Sequence, residues 1–87
     1  MKPALSLARA RQKVREALKI ANGNPQTESQ IHEMVKELVG MQVGLQEIKD
    51  AMEWNHGEAM IRSEWIKAAE ETAWFITPLG INQENLK

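Results

Sequence analysis

Between Thr27 and Asn55 the apolar residues Ile31, Met34, Leu38, Met41, Leu45, Ile48 and Met52 follow one another at steps of three and four. That spacing draws one stripe along a helix, whereas a strand would alternate by two. Thr27, with Gln30 three residues on, has the form of a capping box, in which each side chain satisfies a free backbone N–H. The pattern therefore predicts one long central helix over about 28–55, about 40 Å at a rise of 1.5 Å per residue.

Before it, Leu7, Ala10, Val14, Ala17 and Ala21 repeat at the same interval, widened by Leu18. Pro3 suits a first helical turn, where its missing N–H costs nothing. Asn22-Gly23 suits the left-handed conformation that closes helices. A first helix over about 3–22, followed by the short loop from Asn22 to Gln26, folds back on the central one as an antiparallel hairpin.

After Asn55 the stripe slips phase beside Gly57, and the better apolar set becomes Ile61, Trp65, Ala68, Thr72 and Phe75. Asn55 and Glu58 offer a second capping pair and Pro78 a stop, so a third helix is expected over about 56–77. If the break were absorbed, the last two helices would form one rod of roughly 75 Å. Residues 78–87 show neither period and read as an irregular tail. The expected fold is all-α: a three-helix bundle on an antiparallel hairpin with a long central helix, in one domain. Gly40 and Gly44, four apart, cost an exposed helix roughly 1 kcal/mol each unless a neighbour approaches closely.

At 87 residues the chain is one small domain, of a size that buries only about 60% of its unfolded surface, so association would help its stability. A homo-oligomer is expected, with a dimer favoured. The absence of cysteine removes disulfides, thiolate nucleophiles and Cys-based zinc sites. Near the N-terminus Lys2, Arg9, Arg11, Lys13 and Arg15 interrupt every apolar run long enough for a signal core or a span. No membrane association is expected, and the cytoplasm is the expected location. The net charge of −1 hides a split: residues 1–21 hold six basic groups against Glu16, a net of +5, and residues 22–87 carry −6.

Candidate chemistry is sparse. Arg9, Arg11, Lys13, Arg15 and Lys19 make the first helix basic, which could meet nucleic acid phosphates or acidic faces of the same molecule. Glu53 and His56 have the Glu-x-x-His spacing of di-iron bundles, but His32 has Ser29 three residues before it and supplies no second copy. Glu47 and Asp50, with Glu33, Glu37, Glu70 and Glu71, could be read as ligands for a hard cation, but they lack the doubled-glutamate motif of Mg²⁺-dependent helical pyrophosphohydrolases and read as solvated helix faces. No metal, cofactor or catalytic residue is expected. Trp65 fits the third stripe as core, whereas Trp54, Met60 and Trp74 lie off the stripes and are candidate anchors for a protein partner. The favoured function is a non-enzymatic, self-associating protein-interaction or regulatory module. The competing class is a nucleic-acid-binding accessory protein that uses the basic first helix.

Overall fold

The computed structural model describes residues 5–86; the predicted placement of Pro3 lies outside them. The elements run α1 (Leu7–Ile20), α2 (Glu28–Val39), α3 (Leu45–Gly57), β1 (Ile61–Ile66), β2 (Glu71–Ile76) and α4 (Pro78–Asn85). The expected all-α three-helix bundle is thus corrected to a mixed α/β fold with four helices and an antiparallel two-stranded sheet.

The long central helix is two helices. Gly40 takes the left-handed conformation at φ 65° and its N–H donates to the Lys36 carbonyl, closing α2, a step that glycine makes without a Cβ penalty. Gly44 then caps α3 in extended backbone. The three-and-four rhythm survives the break because Met41 and Val43 in the turn still pack against the core. His32 Nε2 lies 2.6 Å from the Val43 carbonyl oxygen and ties the turn to α2. The capping box at Thr27 and Gln30 is present on both sides.

The expected third helix is the end of α3 followed by a hairpin. Helix α3 closes where the Glu58 and Ala59 N–H groups donate to the Trp54 and His56 carbonyls, with Ala59 left-handed at φ 59°. Ile61-Arg-Ser-Glu-Trp-Ile66 and Glu71-Thr-Ala-Trp-Phe-Ile76 then pair in register from Ile61 opposite Ile76 to Ile66 opposite Glu71. Both runs are rich in β-branched and aromatic residues, which favour a pleated surface. Their alternation puts Ile61, Ser63 and Trp65 on one face with Thr72, Trp74 and Ile76. Trp65 lies beyond the core at 62% exposure, not within it. Gln26 adds a one-residue third strand, since it and Trp74 exchange both backbone hydrogen bonds, at 3.1 and 2.8 Å.

Part of the expected tail is helical. Thr77 caps α4 by accepting the Gly80 N–H, and its own hydroxyl donates to the Ala59 carbonyl at 2.7 Å. Pro78 occupies the first turn, where it fits. Gly80 is required for space, because a Cβ there would collide with the Met60 carbonyl and lie 2.8 Å from Ile76 Cγ1.

Helix α1 is the hub and packs on α2, α3, α4 and β2. Its Val14, Ala17 and Leu18 meet Ile31, Val35, Val43, Ile48, Ala51, Met52 and Ile61 in one cluster. Full burial of Leu18, Ile31, Ile48 and Ile61 contributes about 1.5–3 kcal/mol each before the entropy of ordering is set against it. Among the described residues, no helix is long and apolar enough to cross a membrane.

Candidate nucleic-acid interface

Helix α3 is buried on one side and open on the other. Ile48, Ala51, Met52 and Asn55 face inward, while Gln46, Glu47, Lys49, Asp50, Glu53 and His56 are exposed. Angular position at 3.6 residues per turn puts Gln46, Asp50 and Glu53 furthest from the core, with Lys49 and His56 on one flank and Glu47 and Trp54 on the other. The Gln46 amide donates to Asp50 Oδ1 at 2.9 Å, and Lys49 reaches Glu28 at 3.9 Å between half-exposed side chains.

The hairpin stands beside this helix. A cleft of about 250 Å³ between them is lined by Glu28, Lys49, Met52, Glu53 and Trp74. The Trp74 and His56 rings meet edge to face at 5.6 Å. On the hairpin's other face, the Arg62 guanidinium lies 4.2 Å from the centre of the Phe75 ring and 3.7 Å from Glu64. The tip is the four-residue turn Lys67 to Glu70, with Glu70 left-handed at φ 53°. Two helices joined by a short glycine-bounded turn, the second exposed along its outer side, thus stand beside an antiparallel hairpin.

The basic residues of α1 do not form one free face. Arg15 is buried, its Nε donating to Glu84 Oε2 at 3.0 Å and its Nη1 to Asn55 Oδ1 at 2.9 Å. Lys13 pairs with Glu16 at 2.8 Å, Lys19 donates to Asn85 Oδ1 at 2.7 Å, and the Arg11 guanidinium stacks 4.5 Å from the Trp54 ring centre. The Arg9 side chain is exposed. The three proposed partner anchors are half-buried: Trp54 lies under Arg11, the Met60 carbonyl accepts the Thr77 N–H, and Trp74 joins the core. Among the described residues, no three His, Asp or Glu side chains converge as metal ligands. The Lys36 ammonium, hydrogen-bonded to exposed Glu33 at 2.8 Å, holds that carboxyl below the usual range, and the same charge adds to the effect.

No family model matches this sequence, and no curated protein does. The fold resembles a solved protein structure. The crystal structure of SSV1 F-93 superposes with a TM-score of 0.63 over 87% of this chain and 83% of that one, at 12% identity. At that identity the likeness with SSV1 F-93 shows the fold alone.

The outer row of α3 and the wing were missed in the sequence because the helical stripe ran through both. Two signals were nevertheless present: the paired glycines at 40 and 44, and the Thr77-Pro-Leu-Gly80 run after an apolar strand.

Proposed function

We propose that this chain is a regulatory winged helix-turn-helix module that binds duplex DNA through α3 and the hairpin. The observation that carries the reading is the exposed outer row of α3, set beside the hairpin on a packed core. A helix of these dimensions fits the major groove. Gln46 carries the amide that pairs with adenine, Lys49 suits guanine acceptors, and Asp50 and Glu53 can accept from the cytosine amino group. Arg62 and Lys67 are the hairpin cations that such a complex would bring to phosphates.

With three cations on this side, neutralising three phosphates gives a shallow salt dependence, a log–log slope of about −3 per copy. The test is fluorescence anisotropy with labelled duplexes and the full-length chain at about 50 mM salt, a concentration at which phosphate contacts are strong. Binding that is lost in Lys49→Glu and Lys67→Glu, and kept in Lys13→Glu on α1, supports the reading. No binding by the wild type refutes it.

A second reading, closer to a protein-interaction module, is favoured by charge. Residues 45–76 carry seven acidic groups against three basic ones, a net of −4, which suits a basic protein segment better than a polyanion. It predicts capture of a lysine-rich peptide, lost when Glu47, Asp50 and Glu53 become Gln, with no DNA binding.

A further inference from the structure

We infer that Asp50 sets the base preference of Gln46, so that the duplex read by α3 carries adenine, and not guanine, where this amide meets it. The inference rests on the nucleic-acid reading of α3 and names the ligand class of that same face. Gln46 and Asp50 stand one turn apart in the outer row, both exposed, and Gln46 Nε2 donates to Asp50 Oδ1 at 2.9 Å. Residues four apart on a helix are surface neighbours, and an amide and a carboxylate so placed hold each other in position.

What the amide has left decides what it can read. A glutamine amide carries two N–H donors and one carbonyl acceptor, whereas an ionised carboxylate only accepts. The contact with Asp50 therefore takes one N–H and fixes which end of the amide is nitrogen. Turned over, the Gln46 carbonyl oxygen would face the carboxylate, oxygen against oxygen. One N–H and one carbonyl oxygen remain for a base. In the major groove adenine presents the N7 acceptor beside the N6 amino donor, which complements that pair, while guanine presents two acceptors, N7 and O6. An untethered amide can turn both N–H groups to guanine; the tethered one cannot. The Asp50 charge acts in the same direction, because a carboxylate beside guanine's two acceptors is repelled and one beside an amino group is not. The contact uses Oδ1, so it is compatible with Oδ2 accepting from a neighbouring cytosine. Asp50 is thus a positioning residue for Gln46, and acidity that weakens affinity for a polyanion becomes a source of selectivity.

The test is selection by the full chain from a pool of randomised duplexes at about 50 mM salt, where phosphate contacts are strong, with sequencing of the bound fraction. The wild type is expected to enrich a motif with adenine at one position that Gln46→Ala releases, which assigns that position to the amide. Asp50→Ala should lower the adenine-over-guanine ratio there by about twofold or more, the scale of a helix-surface pair four residues apart. Asp50→Glu, which keeps a carboxylate in reach of the same N–H, should restore it. A merely structural role for Asp50 would lower binding to every duplex alike and leave that ratio unmoved. In the free chain, Asp50→Ala should shift the NMR signals of the Gln46 side-chain NH2 group, with an unchanged circular dichroism spectrum. A wild type that enriches no duplex removes the nucleic-acid reading and the inference with it. A wild type that enriches a motif, but prefers guanine at the Gln46 position or keeps its adenine ratio in Asp50→Ala, overturns the inference alone.

Discussion

Replacing Arg15 by methionine tests whether the fold depends on the one buried cation among the described residues. Arg15 is 8% exposed, and it gives one charge-assisted hydrogen bond to Glu84 and one to Asn55, itself fully buried. The Asn55 amide donates onward to the Arg11 and Ala51 carbonyls at 3.0 and 2.9 Å. One guanidinium therefore fixes α1 to α4 and, through Asn55, to α3. Methionine fills the space of the stem but removes the charge, leaving the Glu84 carboxylate without this cation and the Asn55 carbonyl oxygen without this donor. Breaking a buried pair from one side costs about 3–5 kcal/mol, against a total stability of about 5–15 kcal/mol for a domain. At about 4–8 °C per kcal/mol for a chain of this size, Tm should fall by on the order of 10–40 °C. Thermal and urea melts followed by circular dichroism measure it. The double variant Arg15→Met, Glu84→Leu should recover most of the loss, since an apolar replacement of a whole buried pair is often neutral or stabilising. A loss below about 1 kcal/mol in the single variant would mean that the pair behaves as a surface contact, and the latch would fail as an account of how α4 is held.

Gly80→Ala should destabilise by at least about 2 kcal/mol, because the added methyl meets the Met60 carbonyl and Ile76 rather than a flexible side-chain end; a melt within error of wild type would contradict that packing. Ala59→Gly should stabilise by about 0.5–1 kcal/mol by relieving a left-handed alanine at the close of α3, as measured by urea denaturation. Glu33 should titrate below its ordinary value of 4.5, since the Lys36 ammonium favours the carboxylate. A depressed carboxyl contributes its stability above the unfolded value and loses it as pH falls through the folded one. A carbon-detected NMR titration reads the midpoint, which Lys36→Met should return upward.

The amphipathic pattern made α1, the start of α2 and the inward side of α3 readable, because the same side chains that repeat at helical spacing in the chain, such as Val14, Ile31 and Ile48, are fully buried. Two things hid the rest. A glycine-closed turn of five residues, 40–44, advances the chain so that Met41 and Val43 still touch the core, and the rhythm runs on without a helix beneath it. In the hairpin, Ile61, Trp65, Ala68, Thr72 and Phe75 satisfy a helical period by chance of spacing, while the true alternation of Ile61, Ser63 and Trp65 is masked by a polar residue on the core side of the strand. The candidate site was less readable still, because exposed rows carry no periodic signal of their own. Trp65 and Trp74 illustrate the point: nine residues apart, each adjacent in sequence to an isoleucine or phenylalanine, they differ in burial because of their distance from the base of the hairpin.

Charge along the chain also changes meaning once folded. The net of +5 over residues 1–21 suggested a surface for phosphates, yet Lys13, Arg15 and Lys19 are engaged by Glu16, Glu84 and Asn85, and Arg11 by the Trp54 ring. The partner of the basic segment is largely the rest of the molecule. That leaves the exposed side of α3 and the hairpin with an excess of carboxylates, so counterion release contributes little to a complex with DNA. If DNA is bound there, a large share of the affinity must come from hydrogen bonds to base edges by Gln46, Lys49 and Glu53. Such contacts discriminate at about 1–3 kcal/mol per base pair, so weak non-specific binding and a steep penalty for single mismatches should occur together. The same acidic surface would bind a basic protein segment with the opposite signature, a steep salt dependence and tolerance of sequence changes that preserve charge. Salt slope measured against sequence selectivity therefore separates the two readings.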